Sequence, residues 1–541
     1  MSLPTETAAY VPAINLHGIL PFAILLGGGM LCLAADALSN KEGSRRVLPI
    51  VAFLSLAAAL ASFFLPGFPN GSFVENTFLS DSFGRLGCVV IILAGIATVV
   101  MGPRQVIRRN LPSGEFYTLI VFATLGMVLL AMANEMLTAF IALEIMSLSL
   151  YVLTGIDRRS GKAAEASFKY FILGAFASAF LVLGTAFLFG AAHTTFLADV
   201  AKYFGAFGDR MSDSTDVWAF MAFGLVFVGL CFKLSLAPFH MWAPDVYEGS
   251  NTPTTLFIAT GSKIAAFAFL VHFVKAFSAW DYFAAPATFI VGLIAIISMV
   301  WGNIAAIVQS NVKRMLAYSS VAQTGYMMVA VMVFVALPAV SMIDGASAAK
   351  AANDARVISD AISLYLAGYT IISILAFGIA FHISGEGPMA AYRGLYHRKP
   401  FAAVGMAIAM FSLSGLGFLP PTIGFIGKFY LFKEAVRFDM TGIAVIAVLT
   451  SVVAAFYYLS LIVTMFMKAP EEGTGIELAG RREERVAGFG GGDGLVRVML
   501  AAATALIFLL GLHPGLFTGL VTEKDSPATP STQTVAAVVK K

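Results

Sequence analysis

Charge is what this chain has least of. Only 12% of its 541 residues are Asp, Glu, Lys or Arg, against about a quarter in a soluble protein. The formal balance is +3 and the basic residues cluster in loops, so the composition points away from nucleic acid binding. Cysteine is scarce too. Cys32, Cys88 and Cys231 all fall in apolar runs and form no CxxC pair, which excludes a chain-ligated iron–sulfur cluster. There is no dinucleotide-type GxGxxG, no Walker motif and no HExxH, so nucleotide chemistry and zinc hydrolysis have no support. The opening MSLPTETAAYVPAINLHG lacks the basic region of a cleaved signal peptide and the Arg-rich bias of a transit peptide. The first apolar run therefore reads as a retained span.

What is present is apolar length. Hydrophobic residues make up 59% of the chain, with 47 Phe and 23 Met that read as lipid-facing and packing surface. Apolar runs of roughly 20 residues, enough to cross a hydrocarbon core of about 30 Å, recur from end to end. The reading is an all-α polytopic membrane protein with about 14 transmembrane helices. Spans include 136–156, 164–191, 217–240, 253–277, 314–337, 358–383 and 401–433. Residues 338–356 suggest a short surface helix, 468–495 a mobile cytoplasmic loop, 496–520 a last helix and 521–541 a disordered tail. Basic residues crowd the odd-numbered loops (Arg45 and Arg46, Arg108 and Arg109, Arg158 and Arg159, Lys313 and Arg314, Arg398 and Lys399) and thin out in the even ones. Lysine and arginine are retained on the cytoplasmic side, so the odd loops face in and both termini face the periplasm. No room is left for a soluble catalytic domain.

Against that background a few buried charges stand out. Lys233 lies within FGLVFVGLCFKLSLAPFHMW, Lys263 within TTLFIATGSKIAAFAFL and Lys428 within LPPTIGFIGKFYLF, while Glu144 interrupts LTAFIALEIMSLSLYVL. Each charge at bilayer depth costs about 2.5–3.5 kcal/mol on insertion scales, so a chain that keeps several has a use for them. Lysine and glutamate exchange protons, whereas arginine effectively does not. The pattern points to proton movement within the membrane. A neighbouring carboxylate stabilises a buried ammonium, so a Glu144–Lys233 pair that opens and closes would act as a proton switch. The competing reading is an ion pair that only fixes helix packing.

Two of these spans are also interrupted. Pro238 follows Lys233, and Pro420 and Pro421 precede Lys428. Proline opens a helix, which lipid tolerates only where protein or water satisfies the freed backbone groups. Interrupted spans in the two halves of a transporter mark its pathway. Weaker candidates are Lys169, placed to snorkel at a span end, and His240 and His272, which are placed to relay protons. The many Tyr and Ser residues on these spans single out none of themselves.

The stretches FKLSLAPFHMWAPDVYEGSNTPTT, ATGSKIAAF, QSNVKRMLAYSSVAQTGY, LPPTIGFIGKFYLF and LEIMSLSLYVLTG resemble the antiporter-like subunits of respiratory complex I, the proton-pumping NADH:quinone oxidoreductase. The likeness runs from about residue 80 to 465. DVYEG followed by a TP pair, SKI in the eighth span and Lys428 in the twelfth set the chain apart from the sister subunits L and M. The resemblance implies two inverted five-helix repeats with discontinuous helices 7 and 12. The first repeat would cover 111–278 (helices 4–8) and the second 279–467 (helices 9–13), after a three-helix extension at 1–110. It implies a bacterial inner-membrane location and a proton path through Glu144, Lys233, Lys263 and Lys428. It implies neither a cofactor nor a metal in this chain, with FMN, iron–sulfur clusters and quinone held by other subunits. The implied partners are the neighbouring antiporter-like subunit M, the small subunit K and membrane lipid. A subunit of a multisubunit sodium/proton antiporter is the alternative that shares the buried lysines, and a scaffold joining neighbouring membrane subunits is a third.

Overall fold

The structure is a computed structural model that describes residues 15–207, 214–278, 281–343, 348–383, 387–415, 421–469 and 492–516. Nearly all of them are helical, because in lipid every backbone N–H and C=O must find its partner within the segment. In chain order the helices are α1 (Leu16–Leu38), α2 (Lys41–Ser62), α3 (Ser82–Arg109), α4 (Ser113–Met132), α5 (Met136–Thr154), α6 (Gly161–Ala192) and α7 (Leu197–Phe207). There follow α8 (Ser214–Lys233), α9 (Trp242–Gly249), α10 (Thr252–Ala259), α11 (Gly261–Phe277), α12 (Asp281–Ile307), α13 (Val312–Ile343) and α14 (Ala348–His382). The last are α15 (Leu395–Arg398), α16 (Pro400–Ser414), α17 (Ile423–Arg437), α18 (Thr441–Phe466) and α19 (Gly492–Leu512). One small antiparallel hairpin, β1 (Gly71–Phe73) with β2 (Phe78–Ser80), joins α2 to α3.

Helix starts follow local chemistry. Asn15, Asn40, Asp81, Ser160 and Asn251 each accept a backbone N–H of the first turn, and the Glu135 carboxylate accepts two, from Leu137 and Thr138. Twelve of the described helices are long and apolar enough to cross a membrane. Two shorter apolar helices, Val217–Lys233 and Pro400–Ser414, occupy stretches that the hydrophobicity pattern treats as the full spans 217–240 and 401–433. In the first, regular helix stops at Lys233 and resumes at Trp242; the second divides into α16 and α17. Pro421 lies in the connection before α17, and Pro420 lies outside the described residues.

Other boundaries move as well. Among the described residues of 338–356 there is no separate surface helix: α13 runs on to Ile343 and α14 begins at Ala348, extending the two spans on either side. The last helix begins at Gly492, so the final residues of the expected 468–495 loop are already helical; residues 470–491 and the 521–541 tail lie outside the described residues.

The helices sort into layers by how much of each is covered. The most apolar 18-residue stretch of the α10–α11 span is wholly buried and that of α13 is 94% buried, whereas that of α19 is only 22% buried. The centre is thus α10, α11, α13 and α14. Along α6, Phe168, Phe176, Leu183 and Phe189 are exposed in a way that water would penalise and lipid does not. Close approach inside the bundle depends on small residues: a Cβ on Gly126 of α4 would stand 2.5 Å from Met146 N and 2.7 Å from Ala142 O of α5. Both are backbone atoms and cannot step aside. Gly126→Val is expected to separate α4 from α5 and cost about 1–3 kcal/mol, read as a lower thermal transition of the purified protein.

Candidate functional site

Lys233 is the last residue of α8 and is 2% exposed. The backbone of the following turn takes up the last carbonyls of α8, with Leu234, Leu236 and Ser235 donating to Leu230, Cys231 and Phe232. The Lys233 Nζ donates to Ser147 Oγ of α5 at 2.8 Å and lies 5.6 and 5.4 Å from the ring centres of Tyr151 and Tyr170. Both rings present the negative face of their π-systems to the cation. Glu144, one turn earlier on α5, instead accepts a hydrogen bond from Ser178 of α6. The direct Glu144–Lys233 pair expected from the sequence is therefore absent, because Lys233 meets α5 at the level of Ser147. A cleft beside the ammonium is bordered by Ser147, Tyr151, Ser178 and Lys233.

Lys263 sits at the start of α11, three residues after the irregular Thr260 that separates α10 from α11. It is 1% exposed, and its three ammonium protons find three acceptors on α13: Ser320 O at 3.1 Å, Ser320 Oγ at 2.5 Å and Thr324 Oγ1 at 2.8 Å. Tyr369 of α14 also donates to Ser320 Oγ, at 3.0 Å. A hydroxyl has two lone pairs and one proton, so with Lys263 and Tyr369 donating, Ser320 must donate to Tyr247 of α9, 3.2 Å away.

Lys428 of α17 repeats the pattern. Its Nζ donates to the carbonyls of Leu413 and Ser414, both at 3.2 Å, and to Ser451 Oγ at 3.1 Å, and lies 4.3 Å from the Tyr326 ring centre. Those two carbonyls belong to the last turn of α16. Gly415 closes α16 at φ +69°, and a Cβ there would fall 2.6 Å from Lys428 Cδ. Thus the ammonium caps the end of the helix across the break. Among the described residues none of the three lysines is within ion-pairing distance of a carboxylate.

One face of α13 links the second and third lysines. Gln323 Nε2 donates to Leu413 O at 2.9 Å, the same carbonyl that Lys428 uses, and to Tyr458 OH at 3.2 Å. Tyr365 donates to Gln323 Oε1, and Ser319 pairs with Tyr458 at 2.5 Å. Ser319, Ser320, Gln323 and Thr324 thus place polar atoms from the Lys263 pocket to the Lys428 pocket. The sequence did not single these residues out; their i, i+1, i+4, i+5 spacing, one face of a helix within an apolar span, was the available signal. Between the first two lysines, Trp242 donates to Phe232 O at 2.9 Å and stacks on Tyr170, and α9 then carries Tyr247 to Ser320.

The weaker candidates lie at the edges. His240 is buried beside the rings of Trp301 and Tyr318, and its Nδ1 has no hydrogen-bond partner. Pro238, two residues earlier, lies in the α8–α9 connection, where Ala237 N donates to Ser298 Oγ. His272 lies near the far end of α11, against Asp81. Lys169 pairs with Glu165 at 2.7 Å and with Asp245 of α9 at 2.6 Å; Arg314 of α13 reaches Asp245 at 2.6 Å, and Lys162 reaches Glu248 at 2.8 Å. These ion pairs clamp α9 between α6 and α13. Among the described residues no group of three or more His, Cys, Asp or Glu stands together to hold a metal, and the three cysteines are buried and unpaired.

The family described as NADH:quinone oxidoreductase/Mrp antiporter, TM, matches residues 133–344 and 345–454. NADH-quinone oxidoreductase subunit N of Trichlorobacter lovleyi is 36% identical over 86% of this chain and 91% of its own length. The protein of the same name from Myxococcus xanthus is 36% identical over 97% of this chain and 99% of its own. A chain of respiratory complex I from Thermus thermophilus superposes with a TM-score of 0.70 at 34% identity, covering 92% of this chain and 98% of that one. A chain of the Mrp complex from a Dietzia species superposes at 0.73 with 20% identity, over 94% and 96%, which speaks to fold alone.

The α9 clamp depends on ionised carboxylates. Burial pushes Asp245 up, but Lys169 and Arg314 outweigh it and hold the carboxyl below the usual range; Lys162 and Arg314 do the same for Glu248. A lowered carboxyl stabilises above its unfolded value, so the clamp's contribution is present above about pH 4 and is lost as the pH falls through the lowered values. Asp245→Asn is expected to speed amide hydrogen exchange across residues 242–249 at pH 7 by the equivalent of about 1–3 kcal/mol, with α11 unaffected.

Proposed function

The chain belongs to the family of membrane subunits shared by NADH:quinone oxidoreductase and Mrp antiporters, and we propose that it conducts protons along the line Glu144, Lys233, Lys263, Lys428. It is a proton-translocating membrane subunit of NADH:quinone oxidoreductase, of the subunit N type, and works alongside other membrane subunits of that complex. The observation that carries the proposed route is the shared chemistry of the three lysines, buried and reached by neutral oxygens or aromatic faces, with Lys263 and Lys428 joined across α13 by polar side chains. A lysine held this way can give up its proton without leaving a buried carboxylate unpaired.

In this reading NADH oxidation and quinone reduction take place elsewhere in the complex and reach the chain as an electrical or conformational signal. Swinging Lys233 from Ser147 toward Glu144 strengthens its hold on a proton, and the return to Ser147 weakens it and passes the proton on. Lys263 receives it beside Ser320 and Thr324, and Gln323 with Tyr458 bridges to Lys428. His240 and Lys169 stand nearer the cytoplasmic end, His272 nearer the outer end, as secondary members.

The finer architecture is part of the proposal. Some 14 spans are arranged as a 1–110 extension, two inverted repeats at 111–278 and 279–467, and a last helix. Support comes from α8 and α16, which both stop within the membrane and both end at a lysine ammonium. With odd loops inside, α8 runs inward and α16 outward, the relation that inversion requires. We further place the chain in a bacterial inner membrane with periplasmic termini, between subunits M and K and in contact with lipid. FMN, iron–sulfur clusters and quinone then belong to other subunits, and this chain holds no cofactor.

Lys263→Ala is expected to cut NADH-driven proton pumping by vesicles at least ~10-fold, with NADH:quinone turnover falling in step. Undiminished pumping in that variant would remove Lys263 from the path. Gln323→Leu, which keeps the shape and deletes the bridge, is expected to give a partial loss of pumping at normal levels of assembled complex. Sodium-dependent proton efflux without NADH would instead favour the antiporter reading.

A further inference from the structure

Lys233 is the lysine that leans most on aromatic rings. Lys263 and Lys428 each donate to three oxygens. Among the described residues Lys233 donates to Ser147 Oγ alone, and the rest of its ammonium faces Tyr151 and Tyr170. Attraction between a cation and a ring requires the face to stand within about 6 Å of the charge. Whatever keeps Tyr170 at 5.4 Å therefore bears directly on how firmly Lys233 is held.

The Tyr170 hydroxyl does not fix that ring. The residue is wholly buried and its OH has no hydrogen-bond partner. Packing fixes it instead. Trp242 lies flat on the ring, with centres 4.3 Å apart and planes 9° apart, and Tyr151 meets it edge to face at 4.7 Å. An indole stacked this closely occupies one face of the phenol and leaves the opposite face for the ammonium.

Trp242 is pinned in turn to the lysine's own helix. The chain leaves α8 at Lys233 and returns to helix at Trp242, the first residue of α9. There the indole Nε1 donates at 2.9 Å to the carbonyl of Phe232, the residue before Lys233, and the two rings stand 5.5 Å apart. One side chain thus touches both the end of α8 that carries the ammonium and the ring that faces it. Asp245, three residues further along α9, is gripped by Lys169 of α6 and Arg314 of α13, which holds the indole in its seat from outside the pocket.

We propose that Trp242 is a positioning residue for Lys233: by tying the end of α8 to the far face of Tyr170, it keeps that ring on the ammonium. The inference rests on the proton-path reading above. Trp242 exchanges no proton itself and acts through Phe232 and Tyr170. Without the indole, Tyr170 is free to tilt into the vacated space, and the ammonium loses one of its two rings. Lys233 then holds its proton less firmly and passes fewer along.

A double-mutant comparison in the intact complex tests this, with proton pumping measured per assembled complex in vesicles. Trp242→Leu and Tyr170→Leu are each expected to lower pumping about 3- to 10-fold. Combined, they are expected to lower it no further than either alone, because the indole acts through the ring. Tyr170→Phe keeps the ring and is expected to recover most of the pumping. Trp242→Phe keeps the stack and leaves the Phe232 carbonyl paired with the Ser235 N–H, so it too is expected to recover most of it. Native pumping by Trp242→Leu, or losses that multiply in the double variant, would overturn the proposal. So would a fall in assembled complex alone, with native pumping in what remains. Should the leucine variants fail to assemble, Trp242→Phe and Tyr170→Phe decide, and a loss as deep as that of Lys233→Ala in either overturns it. Lys233→Ala separates the two readings: native pumping there removes both, whereas its loss beside native Trp242→Leu removes only the role of the indole.

Discussion

Three ammonium groups buried in a low-dielectric interior impose the constraint that the rest of this structure serves. A cation there needs all its protons accepted, yet a carboxylate partner would bind it too firmly for it to exchange a proton. The chain meets the need with hydroxyls, backbone carbonyls and aromatic faces. Lys263 takes three oxygens from α13; Lys428 takes two carbonyls, a serine and a tyrosine face; Lys233 takes one serine and two tyrosine faces.

Interrupted helices follow from the same constraint. An unbroken helix spends its carbonyls on its own N–H groups and has none to offer a cation. At the end of α16 the Leu413 and Ser414 carbonyls accept from Lys428, and Gly415 in the left-handed region leaves room for the lysine stem. Central placement of α10, α11, α13 and α14 then keeps lipid from these sites, and the outer helices present phenylalanine and leucine to it.

The ion pairs at Asp245 and Glu248 serve a different purpose. They lie nearer water, where each pair contributes little, but together they tie α9 to both α6 and α13. Because α9 carries Trp242 to the Tyr170 face and Tyr247 to Ser320, its position couples the first lysine pocket to the second. Lys169, which reads from the sequence as a snorkelling side chain, belongs to this clamp.

By itself the sequence determined the membrane class and the three buried lysines Lys233, Lys263 and Lys428. Those properties depend on run length and on the cost of a charge in lipid, and both are local. It also drew attention to Pro238 and Pro421, which lie in the connections after α8 and before α17. What only the tertiary structure decided is who answers each charge. Glu144 and Lys233 looked like partners because both are charged, but α8 meets α5 one turn away, at Ser147, and that offset is set by helix packing. Ser320, Gln323 and Tyr458 were hidden among many similar residues, since a hydroxyl or amide gains its meaning only from what stands opposite. The contact between His272 and Asp81, separated by 191 residues, depends in the same way on α3 lying against α11. Such pairings follow from the geometry of close-packed helices, which no window of sequence contains.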